Sequence, residues 1–174
     1  MLDSYTSKFL RQKSMLKRKK KRQKDRGNSE KSENISNKVN TNLQQSNLVE
    51  QIKNYAAGLC YISETDAEIL PFTGEQTESV SSNVILTQTK NNFDSPIEEN
   101  HFAEFFARLT EIQDWFGDEE KKAAERYLLL KELLEKNLRN LKVFKVGKIQ
   151  LDIYVVGLDA ENRLLGIKTK AVET

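Results

Sequence analysis

After residue 142 the sequence changes from a helical period to a strand period, and this change most constrains the fold. Val143-Phe144-Lys145-Val146, Lys148–Val156 and Arg163–Val172 are rich in β-branched residues and are separated only by Gly147 and by Gly157–Asn162. Connections this short join antiparallel neighbours, so the three runs predict hairpins in one antiparallel sheet. In the middle run Ile149, Leu151, Ile153 and Val155 alternate with Gln150, Asp152, Tyr154 and Val156. One face is fully apolar and the other mixed.

The segment before the sheet carries helical spacing. A helix is predicted from Asp118, with Asp118, Glu119 and Glu120 in its first turn, where the helix dipole favours acids. Its apolar side runs through Ala123, Tyr127, Leu130, Leu133, Leu134 and Leu138. Phe102, Phe105, Phe106 and Leu109 define a shorter helix, broken by Gln113-Asp114-Trp115-Phe116-Gly117. Upstream, Ser46 is a capping residue, Leu48, Ile52, Tyr55 and Leu59 share a helical face, and Gly58 is a stop. Leu59–Ser63 and Glu68–Phe72 read as short extended segments. Thr73–Ser82 and Asn92–Asn100 read as loops, and Val84–Thr87 is too short for periodicity to decide between strand and helix. Helices followed by a meander predict an α+β domain over residues 47–174.

Residues 1–46 differ in kind. They hold the run Lys17-Arg18-Lys19-Lys20-Lys21-Arg22 and then a stretch rich in Asn, Ser, Gln and Lys. So little apolar surface cannot offset chain entropy, and a disordered basic arm is expected. The charge is segregated along the chain. Residues 1–49 carry thirteen Lys/Arg against four acids, whereas Glu50–Glu120 carries fifteen acids against three bases. Such asymmetry concerns association rather than fold. The basic arm supports nucleic-acid association; the acidic block supports attraction of a basic partner.

Most catalytic signatures are missing. His101 is the one histidine and falls at a helix start, where a surface or capping role is expected. The glycines form neither GxGxxG nor GxxxxGK[ST]. Cys60 is the one cysteine and, between Leu59 and Tyr61, reads as a buried small hydrophobe. The expectation is a protein that is not an enzyme and needs no cofactor of its own. No run of about 18 apolar residues occurs, and the basic N-terminal residues precede no apolar signal region, so a cytoplasmic protein is expected. Trp115, alone of its kind, sits in a polar turn flanked by acids, and is either core packing or a binding anchor.

Taken in order, Leu48–Glu50, Gly58-Leu59, Ile62-Ser63-Glu64, Val84-Ile85-Leu86, Phe105-Phe106, Gln113-Asp114-Trp115, Asp118-Glu119-Glu120, Leu151–Val155 and Gly166–Thr174 resemble the nuclease A inhibitor family. The Gln-Asp-Trp turn and the Val-Glu-Thr end are the most specific of these pieces. The resemblance covers about residues 48–174 and implies a three-layer α-β-α sandwich around an antiparallel sheet. It also implies a partner: a magnesium-dependent, sugar-non-specific DNA/RNA endonuclease whose active site the inhibitor fills. Carried over by position, the nuclease-binding residues are Glu64, Asp114, Trp115 and the terminal Thr174, whose hydroxyl reaches the nuclease magnesium. The basic arm has no counterpart in the family pattern, and the loop after Glu64 departs from it at Thr65-Asp66.

Overall fold

The computed structural model describes residues 47–173. Residues 1–46, with the basic run and the capping position Ser46, lie outside the described residues, as does Thr174. The first helix, α1, covers 47–56 and ends in a turn at 57–58, where Gly58 takes φ +72. That left-handed value suits glycine, which has no Cβ to clash. Leu48, Val49, Ile52 and Ala56 of α1 and the following Leu59 face the core. Tyr55, expected on the same face, is 38% exposed, because the seam follows Leu48, Ile52 and Ala56 instead.

The fold is α+β. Two-residue strands β1 (Cys60–Tyr61) and β2 (Ala67–Glu68) pair antiparallel. The main sheet contains β3 (Leu70–Gln76), β4 (Ile97–His101), β5 (Arg139–Gly147), β6 (Gln150–Leu158) and β7 (Arg163–Val172). All neighbours are antiparallel, in the order β3-β7-β6-β5-β4. The predicted meander is therefore the centre of the sheet. Its β6–β7 turn is held by Asp159, whose Oδ1 accepts the N–H groups of Glu161 (2.8 Å) and Arg163 (2.9 Å). The first half of the edge strand β3 falls in the extended segment expected at Glu68–Phe72, whereas its second half and β4 lie where loops were expected, at 73–82 and 92–100. An edge strand satisfies its backbone on one side and shows polar residues such as Glu98 and Glu99 to water, so its apolar alternation is weak.

Successive residues of the central strands feed opposite sides. Val143, Ile153, Val155 and Leu165 join one cluster with Ile52, Phe106, Leu130 and Leu134. Phe144, Tyr154, Val156 and Leu164 join another with Ile85 and Leu86. Those last two belong to α2 (Ser82–Thr89), which resolves the strand-or-helix ambiguity in favour of a helix. β6 is buried through most of its length on both faces, whereas Ile149 precedes the strand and is 57% exposed. The remaining helices, α3 (Phe102–Thr110) and α4 (Asp118–Asn137), match their periodicity. His101 is the N-cap residue of α3 and is exposed. Arg126 of α4 donates to the carbonyls of Tyr55 (3.4 Å) and Ala57, groups the end of α1 leaves unpaired.

Candidate binding rim and its cavity

Between β1 and β2 the chain crosses the end of β7. Ser63 Oγ accepts the Val172 N–H at 3.2 Å and donates to the Thr65 carbonyl at 2.7 Å. The Glu64 N–H donates to the Val172 carbonyl at 3.4 Å. These bonds place the exposed Glu64 beside the last residues of β7. On the far side of that strand end, the Glu173 N–H donates to the Ile149 carbonyl at 3.0 Å, and its carboxylate pairs with Lys145 at 2.7 Å. Glu64 and the C-terminal end of the chain are thus neighbours through the backbone. The chain continues to Thr174, which lies outside the described residues.

Asp114 and Trp115 occupy the turn between α3 and α4, closed by the Phe116 N–H donating to the Gln113 carbonyl at 3.0 Å. Both are exposed, and Trp115 is 78% so. The packing alternative for Trp115 is therefore not what the fold uses. Its indole meets Phe116 edge-on, with centroids 6.2 Å apart and planes at 84°.

A cavity of about 510 Å³ opens beside this turn, lined by residues of β1, β4, α3 and α4 together with Ile62, Phe116 and Lys145. Ile62 is two residues from Glu64, Phe116 is next to Trp115, and Lys145 holds Glu173. The cavity therefore borders the sequence neighbours of Glu64, Asp114 and Trp115. Inside it the rings of Tyr61 and Phe105 stack at 5.5 Å with planes 3° apart. The Tyr127 hydroxyl donates to the Cys60 carbonyl at 2.8 Å. Burial first, then the nearby Cys60, pushes that hydroxyl well above the ordinary tyrosine value. Cys60 itself is exposed, contrary to expectation, because in β1 its neighbours Leu59 and Tyr61 turn inward and it points out.

Ile62 at 76% exposure joins Trp115 as bare apolar surface, and sequence reasoning passed over it as an ordinary strand residue. A large aliphatic before an acid-bearing loop was the available signal. Among the described residues no cluster of three or more His, Cys, Asp or Glu could hold a metal, and no helix is long and apolar enough to cross a membrane.

The chain is thus a small α+β protein with exposed apolar and acidic side chains in the β1–β2 loop and in the α3–α4 turn. The particular family follows from comparison. The profile described as Nuclease A inhibitor-like protein matches residues 46–174, and the chain belongs to that family. A comparison with curated proteins returned no match.

Proposed function

We propose that this protein inhibits a magnesium-dependent, sugar-non-specific DNA/RNA endonuclease by stoichiometric occlusion of its active site. The observation that carries the reading is the family match together with an exposed Trp115, backed by Phe116 at the mouth of a cavity. A nuclease cleft must be basic to hold phosphate. Exposed Glu64 and Asp114 meet that charge, and Trp115 supplies desolvated contact area. By the family resemblance, the Thr174 hydroxyl reaches the magnesium of the nuclease, a cation that favours oxygen ligands. In this reading the domain over residues 47–174 is a three-layer α-β-α sandwich, supported by apolar clusters on both faces of the sheet.

The test is a titration of purified full-length protein into magnesium-dependent endonucleases recovered by pull-down on it. Inhibition complete at equimolar protein is expected; no inhibition of a captured nuclease sinks the reading. The rival function, nucleic-acid association, draws on the thirteen Lys/Arg among residues 1–49. It predicts salt-dependent DNA or RNA binding that deletion of 1–46 removes.

A further inference from the structure

We propose that the cavity between β1, β4, α3 and α4 receives a basic side chain of the protein partner, an arginine or lysine, with the tip of the loop that carries it. The identity of the partner rests on the inhibitor reading; the chemistry of the cavity does not. Its volume of about 510 Å³ lies within the span of small-ligand sites, roughly 300–1,000 Å³, and exceeds one side chain. Its apolar part is aromatic, with Tyr61 stacked on Phe105, and suits the methylenes and the charged head of such a guest.

The charged groups select the sign of the guest. Glu98, Glu104 and Glu120 line the cavity against Arg108 and Lys145. Lys145 is already neutralised by Glu173 at 2.7 Å. Glu104, Glu120 and Arg108 make no ion pair among the described residues. The balance is left acidic, so a phosphate or carboxylate meets repulsion and a cation meets attraction. Asn100, also in the lining, gives Nδ2 to Glu98 at 2.6 Å and leaves Oδ1 buried with no hydrogen-bond partner. That oxygen lies beneath the cavity surface, so the choice of a cation rests on the lining carboxylates.

The experiment titrates N-acetyl-arginine amide into the full-length protein and follows backbone amide shifts by NMR. N-acetyl-citrulline amide, the neutral isostere, is the control. Saturable shifts at Tyr61, Phe105 and Phe116 are expected, several-fold weaker with citrulline. The double variant Glu104→Gln/Glu120→Gln should weaken the arginine probe about three- to tenfold, the size of two exposed ion pairs. Arg108→Gln should tighten it. Thermal melts confirm that each variant is folded. Equal responses to the two probes, an unchanged double variant, or no shifts at the cavity overturns the proposal. Probe binding without inhibition of any nuclease removes the inhibitor reading and leaves the basic-side-chain site standing.

Discussion

Trp115→Ala separates binding from folding more sharply than any other change. The ring is 78% exposed and touches Phe116 only edge-on. A large aromatic buries roughly 150–250 Å² when fully covered. Covering the exposed 78% at about 25 cal/mol per Å² corresponds to about 3–5 kcal/mol, the ceiling for a partner that takes all of it. Ordering the side chain and incomplete desolvation lower this to the hot-spot range of about 2–4 kcal/mol. The inhibition constant should therefore rise by roughly 30- to 700-fold. Folding has less at stake, because the buried part of the ring and the edge-on Phe116 contact together are worth about 1–2 kcal/mol. Two measurements decide the matter: equimolar inhibition of the captured nuclease, and thermal unfolding. Fluorescence adds a third, since this is the chain's one tryptophan: its emission should be that of solvated indole and should shift blue in the complex. An inhibition constant within threefold of the parent refutes the anchor. A loss of more than about 10 °C in Tm refutes the exposed placement, since a change of about 1 kcal/mol moves a domain of this size only a few degrees.

Four further changes bear on the rim and on the sheet that carries it. Deleting Thr174 should weaken inhibition at least about tenfold with an unchanged Tm, and full inhibition by a chain lacking its last three residues rules out the magnesium contact. Ser63→Ala removes a hydroxyl that accepts from Val172 and donates to Thr65; about 1 kcal/mol of stability should go, together with part of the inhibition, measured by urea unfolding and nuclease titration. Burial raises the Tyr127 and Tyr154 hydroxyls above their ordinary value of 10.0, so above that pH the unfolded chain sheds protons the folded chain keeps. Stability should then fall as pH rises, by up to about 1.4 kcal/mol per pH unit per tyrosine, and Tyr127→Phe should remove one share of that slope in urea melts from pH 8 to 11. Gly166→Ala would put a Cβ 2.0 Å from the Val155 carbonyl oxygen and 2.9 Å from the Val156 Cα, both in the β6 backbone, and should cost about 3 kcal/mol or more in the same assay.

What could be read before the structure follows physical lines. The β5–β6–β7 meander and α4 were legible because burial imposes a period, and Val143, Ile153, Tyr127 and Leu134 all obey it. The second half of β3 and all of β4 were not, because Thr73–Gln76 and Glu98-Glu99 face water and carry no apolar alternation. α2 was ambiguous over Val84–Thr87 and is a helix because Ile85 and Leu86, adjacent in sequence, both turn onto the sheet, which a strand could not do. The site was legible as residue types and as a resemblance, through Asp114-Trp115 and Glu64. That Glu64 lies beside Val172 was illegible, because the bonds joining them span more than a hundred residues and leave no local pattern. The cavity was equally hidden, being walled by elements distant in sequence.

The placement of Glu64 matters more than its charge. An exposed ion pair contributes about 0–1 kcal/mol and is screened by salt, so an acid on a free loop would steer a partner and do little else. Here the loop's Ser63 hydroxyl and Glu64 N–H are bonded to Val172, at the end of a strand whose other residues are locked into the sheet. Each bond contributes only about 0.5–1.5 kcal/mol, but together they remove loop freedom that binding would otherwise have to remove, about 1–2 kcal/mol for each residue fixed. The Lys145–Glu173 pair acts likewise on the chain just before Thr174: one partner is 18% and the other 47% exposed, enough water to keep the pair weak and enough contact to hold a direction. The fold thus supplies preorganisation where a single local interaction supplies little energy. For the same reason the core substitutions and the rim substitutions act on different quantities, the first on whether the sheet exists and the second on what it presents.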